Sequence, residues 1–322
     1  MMDEKKRFFR PGLHAALIVF VVVIAAMLTV FAYAQYYLGM WGLLITELGV
    51  FLIALAGMWV FNVDFKVAVP VRRPGLRQIT GTLLVWAGTY LVVLVLTLLM
   101  FCFFPDGISV SESLADFFNS WPVVPTILMI GVMPAICEEM LHRGFLMNCV
   151  WNTVRNRVGT CVIVGVLFGI NHMDPYRFLP TAILGGVMAY VLIETNNFLY
   201  NMLFHFANNT IIEVLSLALG GSGSSDISAD KMADIVPLGF ATYLIIGCAA
   251  PLLILGGVML LQGLDRVKGW GKTKIIVSIV VAAGIGLAML VIGMLIMIVY
   301  MLNGSFDNMQ LQMGQSLLFM FG

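Results

Sequence analysis

Long apolar runs separated by short polar breaks make up almost the whole chain. They extend from Leu13 to about Tyr33, Met40 to Phe61, Ile79 to Phe104, Pro122 to about Val150, and Val158 to His172. Four more follow, from Phe178 to Ile193, Phe198 to about Leu219, Pro237 to Leu261 and Ile275 to Tyr300. In hydrocarbon each segment must satisfy its own backbone polar groups, so apolar runs of this length span as helices. The pattern predicts an all-α fold, a polytopic transmembrane helical bundle of about nine spans. Between the third and fourth spans, Ser109-x-x-Glu112 reads as a capping box, and Leu114, Phe117, Phe118 and Trp121 follow at roughly helical spacing. These features predict a short interfacial helix. Gly220 to Ser228 is a polar Gly/Ser-rich loop,.

Composition agrees with this pattern. The 322 residues are 61% apolar and 11% charged with zero formal net charge, whereas soluble domains carry about 25% charged residues. No basic face exists for nucleic acid. Cys102, Cys137, Cys149, Cys161 and Cys248 are odd in number and lack CxxC spacing. Packed free thiols are expected in place of a disulfide framework or zinc ribbon. The first run follows Lys5, Lys6, Arg7 and Arg10, and Ala32-Tyr33-Ala34 has the form of a cleavage site. The run exceeds the roughly 7–15 residues of a signal-peptide core, so an uncleaved first helix is expected.

The positive-inside rule orients the bundle. With the N-terminus cytoplasmic, inner segments receive Lys5, Lys6, Arg7, Arg10, Lys66, Arg72, Arg73, Arg77, Arg155, Arg157, Arg266, Lys268, Lys272 and Lys274. Arg177 and Lys231 fall outside, and Arg143 lies within span four. The C-terminus is then expected outside a multi-pass cell-membrane protein. Residues 1–120 hold the N-terminal spans and interfacial helix, 121–219 a polar-bearing core, and 220–322 the polar loop and last spans. No soluble domain or internal repeat is apparent.

Chemistry enters where polar residues interrupt the spans. Ionisable groups at membrane depth cost roughly 3 kcal/mol each on insertion scales and mark function. In span four, Glu139 and Arg143 stand at i,i+4 in the favourable order for an ion pair. Glu138 lies about 100° round the helix and shares a face with His142. Pro134 removes a helical hydrogen bond one turn earlier, loosening the backbone. Span five carries Phe168 and His172, and span seven carries His205, Asn209 and Glu213 at four-residue intervals. Counted from the inner ends, Glu138, His172 and His205 lie roughly 18, 21 and 17 Å deep. Antiparallel neighbours would bring these three residues to one level. Such a set suits hydrolysis: a desolvated carboxylate takes a proton from water, imidazoles relay protons, and an amide donates to an oxyanion. The alternative use is zinc, held by Glu138, His172 and His205 with a position open for water.

Glu138-Glu139-x-x-x-Arg143, Phe168-x-x-x-His172 and His205-x-x-x-Asn209 resemble the three motifs of the CPBP family. Its members are CAAX prenyl proteases and bacteriocin-processing intramembrane proteases, also called the Abi family. The resemblance covers about Trp121 to Ile212, the four-helix catalytic core. It implies a membrane-embedded endopeptidase in which Glu138 activates water, with His172, His205 and Asn209 assisting or holding the oxyanion. Glu139 and Arg143 take structural or orienting roles. It further implies a peptide or membrane-protein substrate, either prenylated or a leader peptide, and either a metal-dependent or a metal-free glutamate mechanism. His142 departs from the usual aromatic or aliphatic residue. Two other classes compete: a catalytically silent immunity or scaffold protein, and a proton-coupled transporter, against which the lack of repeat symmetry counts.

Overall fold

A computed structural model describes residues 11–218 and 229–302. Among them there is no strand; the chain is a series of helices. We label these α1 (Leu13–Leu38), α2 (Met40–Val60), α3 (Leu76–Phe103), α4 (Asp106–Asn119), α5 (Val123–Val154), α6 (Arg157–Asn171), α7 (Phe178–Thr195) and α8 (Phe198–Ala218). The series ends with α9 (Ala229–Gly247), α10 (Ala250–Gln262) and α11 (Gly271–Leu302).

Seven stretches of the described residues are long and apolar enough to cross a membrane: α1, α2, α3, α5, α7, Val236–Gln262 across α9 and α10, and α11. The remaining two expected spans are α6 and α8. At 15 residues α6 is shorter than the roughly 20 a perpendicular span needs,. The polar residues of α8, among them Asn201, His205, Asn208 and Asn209, dilute its apolar character. The short helix after the third span is present, but its expected cap is not. α4 starts at Asp106 behind Pro105, and Ser109 sits inside it, its Oγ donating to the Asp106 carbonyl at 2.9 Å. A serine within a helix turns its hydroxyl back onto the preceding turn instead of capping it. The basic N-terminal cluster from Lys5 to Arg10, the Gly/Ser-rich loop, the tail after Leu302 and the Glu213 side chain lie outside the described residues.

The chain divides into two compact units. One comprises Met1–Gly75, Ile127–Asp174 and Thr181–Phe206; the other comprises Leu76–Thr126, Pro175–Pro180 and Ala207–Gly322.

In the first unit α5 is central, packing against α1, α2 and α6. Its core draws Ala16, Val19 and Val23 from α1, Val50, Ala54 and Met58 from α2, and Leu141, Phe145 and Leu146 from α5. Small residues set the spacing: Gly165 of α6 lies directly on the backbone of Ala182 and Gly186 in α7. Such contacts are the means of helix association where lipid gives no hydrophobic drive. At the far end of α5, Arg155 takes a left-handed conformation (φ 50°), and Asn156 caps α6 by accepting from Gly159 N–H at 2.9 Å. An N-cap of this kind contributes about 1 kcal/mol.

The start of α8 is stitched to the segment before α3. Phe198 N–H donates to the Pro70 carbonyl at 2.7 Å, Asn197 Nδ2 to the Arg72 carbonyl at 3.0 Å, and Gly75 N–H to the Tyr200 hydroxyl at 2.7 Å. Asn201 Nδ2 then donates to the Met188 carbonyl of α7 at 2.6 Å with its side chain fully buried. These bonds fix the rotation of α8, and with it the direction of His205 one turn on. In the second unit α10 packs along α3, where a side chain on Gly88 would stand 2.8 Å from the Ala250 carbonyl, and α9 packs along α11.

Candidate active site

α5 is not one regular helix. Its backbone widens to i→i+5 turns over Ile127–Val132, is α-helical over Met133–Glu139, and widens again over Met140–Leu146. Pro134 stands just after the first wide segment, where its missing N–H costs least,. Wide turns of this kind concentrate at functional sites because they re-aim side chains and free carbonyls. Here they bracket Glu138 and Glu139.

Glu139 and Arg143 form the ion pair their spacing predicts: Nη1 donates to Oε1 at 2.7 Å, with both side chains fully buried. Arg143 Nη2 also donates to the Gly185 carbonyl of α7 at 2.8 Å. His205 of α8 joins the same carboxylate, its Nδ1 standing 2.9 Å from Glu139 Oε1. Paired with a guanidinium, that carboxylate accepts, so Nδ1 carries a proton, and in the neutral ring Nε2 presents a lone pair. This Nε2 lies 4.0 Å from Glu138 Oε2. The gap is too long for a hydrogen bond and short enough for one water to touch both atoms. Glu138 retains 15% side-chain exposure where Glu139 has none, and its Oε2 is buried with no hydrogen-bond partner among the described residues.

The other imidazoles are tied in the same sense. His172, at the end of α6, has Nδ1 2.8 Å from the Phe168 carbonyl, and His142 has Nδ1 2.8 Å from the Glu138 backbone carbonyl. A carbonyl only accepts, so both rings carry their proton on Nδ1. His142 therefore meets the backbone of Glu138, not its carboxylate. The structure thus brings Glu138, Glu139, His142, Arg143, His172 and His205 into one unit. Asn209, one turn beyond His205, falls in the second unit, where Asn208 Nδ2 donates to its Oδ1 at 3.1 Å.

Sequence reasoning missed one member. Glu47 of α2 is 4% exposed, and its Oε2 has no hydrogen-bond partner among the described residues. It lies in electrostatic reach of Glu138 and Cys137. The available signal was a lone carboxylate inside the apolar run from Met40 to Phe61. As for a metal, no three His, Cys, Asp or Glu side chains among the described residues stand close enough together to hold one. With the Nδ1 atoms of His172 and His205 held by the Phe168 carbonyl and Glu139, only their Nε2 atoms could turn to a metal,.

Residues 119–211 match the family model described as Type II CAAX prenyl endopeptidase Rce1-like. Over 177 residues the chain is 24% identical to the Bacillus subtilis (strain 168) protein described as "Uncharacterized protein YyaK". That stretch is 51% of this chain and 58% of the relative, so the chain spans less than two thirds of the relative's length. No solved structure matches. The matched segment contains all three motifs and the residues that meet around Glu139, and over it the chain is similar to the type II CAAX prenyl endopeptidases.

Proposed function

We propose that this protein is an intramembrane endopeptidase in which Glu138 activates the attacking water. The observation that carries this reading is the relation of His205 to the two acids: Nδ1 held at 2.9 Å by Glu139, Nε2 turned toward Glu138 Oε2 at 4.0 Å. A water between those last two atoms meets two bases at once. Glu138 takes its proton as the oxygen attacks the scissile carbonyl. Were the proton to pass to His205, Glu139 would stabilise the imidazolium, as a buried carboxylate does for a catalytic histidine elsewhere. The proton then moves to the departing nitrogen as the C–N bond breaks, leaving one carboxylate and one amine. His172 serves as a second imidazole near the reacting carbonyl. Asn209 is given the oxyanion by the motif alone, since an amide N–H suits that task.

Arg143 and Glu139 act as a pair that orients His205 and holds α5. The substrate is a peptide or membrane protein, and the family's type II CAAX endopeptidases favour a prenylated C-terminus over a leader peptide. The N-terminus is placed on the cytoplasmic side by the distribution of Lys and Arg.

Comparative proteomics of cells producing the wild type or Glu138→Gln tests the reading. Membrane peptides that accumulate uncut only in the variant, at equal protein level, are expected. Identical processing in both strains would favour a silent scaffold.

A further inference from the structure

We infer that Phe168 is a positioning residue of this site: its ring is the common surface that orients His172, His205 and His142. The inference rests on the endopeptidase reading for its kinetic arm only.

The sequence marks Phe168 as a packing residue four positions before His172, and its 3% exposure fits that role. Its surroundings go further. The His172 ring lies 4.7 Å from it, tilted by 59°. The His142 and His205 rings stand edge-to-face to it at 4.9 and 5.8 Å, each at 74°. The Arg143 guanidinium carbon lies 4.7 Å from its centroid. One benzene ring therefore touches three of the four histidines in the chain and the buried cation.

These are the geometries an aromatic quadrupole favours, with the cation toward the negative face and neighbouring rings tilted or T-shaped. The Nδ1 bonds anchor one edge of each imidazole, and a swing about that anchor is the motion the Phe168 ring opposes. For His205 this swing alters the 4.0 Å gap to Glu138. The ring blocks it from the side. Phe168 acts on His172 twice, since its own carbonyl receives the Nδ1 proton at 2.8 Å.

Gly185 is the counterpart that admits the ring. A side-chain carbon there would stand 2.6 Å from Phe168 Cβ and 2.9 Å from Cγ. These atoms are the stem of the side chain, which cannot bend away, so any substitution moves the ring. The Gly185 carbonyl also receives Arg143 Nη2, so the same residue seats both the ring and the cation above it.

The test combines spectroscopy with kinetics on the full chain in detergent micelles, comparing Phe168→Leu, Phe168→Met, Phe168→Tyr and Gly185→Ala. Histidine labelled at Cε1 gives one ring signal for each of His14, His142, His172 and His205, assigned by single His→Gln variants. In Phe168→Leu and Phe168→Met the last three signals should shift with the lost ring current and also change in line width as the imidazoles gain motion, while His14 keeps both its position and its width. Gly185→Ala should shift the same three with the ring still present but displaced. Phe168→Tyr should restore the wild-type pattern. Met serves as the flexible, volume-conserving replacement should the leucine variant fold poorly.

On a farnesylated CAAX-ended peptide, the leucine and methionine variants should lose about 10²-fold in kcat with KM little changed, and tyrosine should recover most of it. A ring that merely fills space would shift the three imidazole signals by the lost ring current alone, leaving their line widths and kcat where they are while lowering thermal stability, and that result overturns the inference. Should the wild type fail to cut the peptide, the endopeptidase reading is what fails, and the imidazole line widths alone decide the role of Phe168.

Discussion

Arg143→Met probes the centre of the polar cluster. In the wild type the guanidinium is fully buried and bonds to Glu139 at 2.7 Å and to the Gly185 carbonyl at 2.8 Å. Methionine has comparable reach and no charge, so it leaves the Glu139 carboxylate buried with His205 Nδ1 as its neighbour. Removing one member of a buried pair typically costs about 3–5 kcal/mol, because the other charge stays desolvated and uncompensated. The converse change, Glu139→Gln, strands the guanidinium and should cost a similar amount. The double variant removes both charges and should fall within about 1–2 kcal/mol of wild type, since an apolar pair often replaces a buried ion pair at little loss. The measurement is a double-mutant cycle, each protein unfolded at equilibrium by denaturing detergent in mixed micelles. Singles of about 3–5 kcal/mol and a double of about 1–2 kcal/mol imply a coupling of at least about 4 kcal/mol, above the usual range. Single variants that lose less than about 1 kcal/mol, or losses that simply add, would refute the argument that this pair is buried and mutually dependent.

Further outcomes follow from the same geometry. Glu47→Met removes a carboxyl group that is 4% exposed and whose Oε2 has no hydrogen-bond partner among the described residues, and should raise stability by about 1–3 kcal/mol in the same unfolding measurement,. Gly165→Leu forces apart α6 and α7, whose backbones touch there, and should cost at least about 1–3 kcal/mol, read as a lowered unfolding midpoint,. The reading derived without zinc expects peptide cleavage to survive dialysis against a chelator, with elemental analysis finding no stoichiometric metal; activity lost on chelation and restored by zinc would count against it.

Much of the site could be read from spacing. The i,i+4 rule paired Glu139 with Arg143 and set Glu138 apart, and depth counting along the helices put Glu138 and His205 at one level. That logic works because a helix fixes which residues share a face. It fails where contacts depend on a neighbour's rotation. Glu139 also holding His205 depends on how Asn197, Asn201 and Tyr200 lock the start of α8, and no pattern within one helix encodes that. The wide turns of α5 were foreshadowed by Pro134, though not their extent over Met140–Leu146. The capping box at Ser109 failed because Pro105 begins the helix earlier. Glu47 went unnoticed because one acid in an apolar run has no motif around it.

The central claim is that Glu138 is the base and Glu139 is not. The most direct measurement is hydrolysis of a farnesylated CAAX-ended peptide by the purified protein in lipid vesicles, comparing wild type with Glu138→Gln. Glutamine keeps the shape and leaves the Glu139–Arg143–His205 contacts untouched, so thermal stability should match wild type. Loss of the general base should lower kcat by about 10²–10⁴-fold. Cleavage by Glu138→Gln at the wild-type rate would contradict the account.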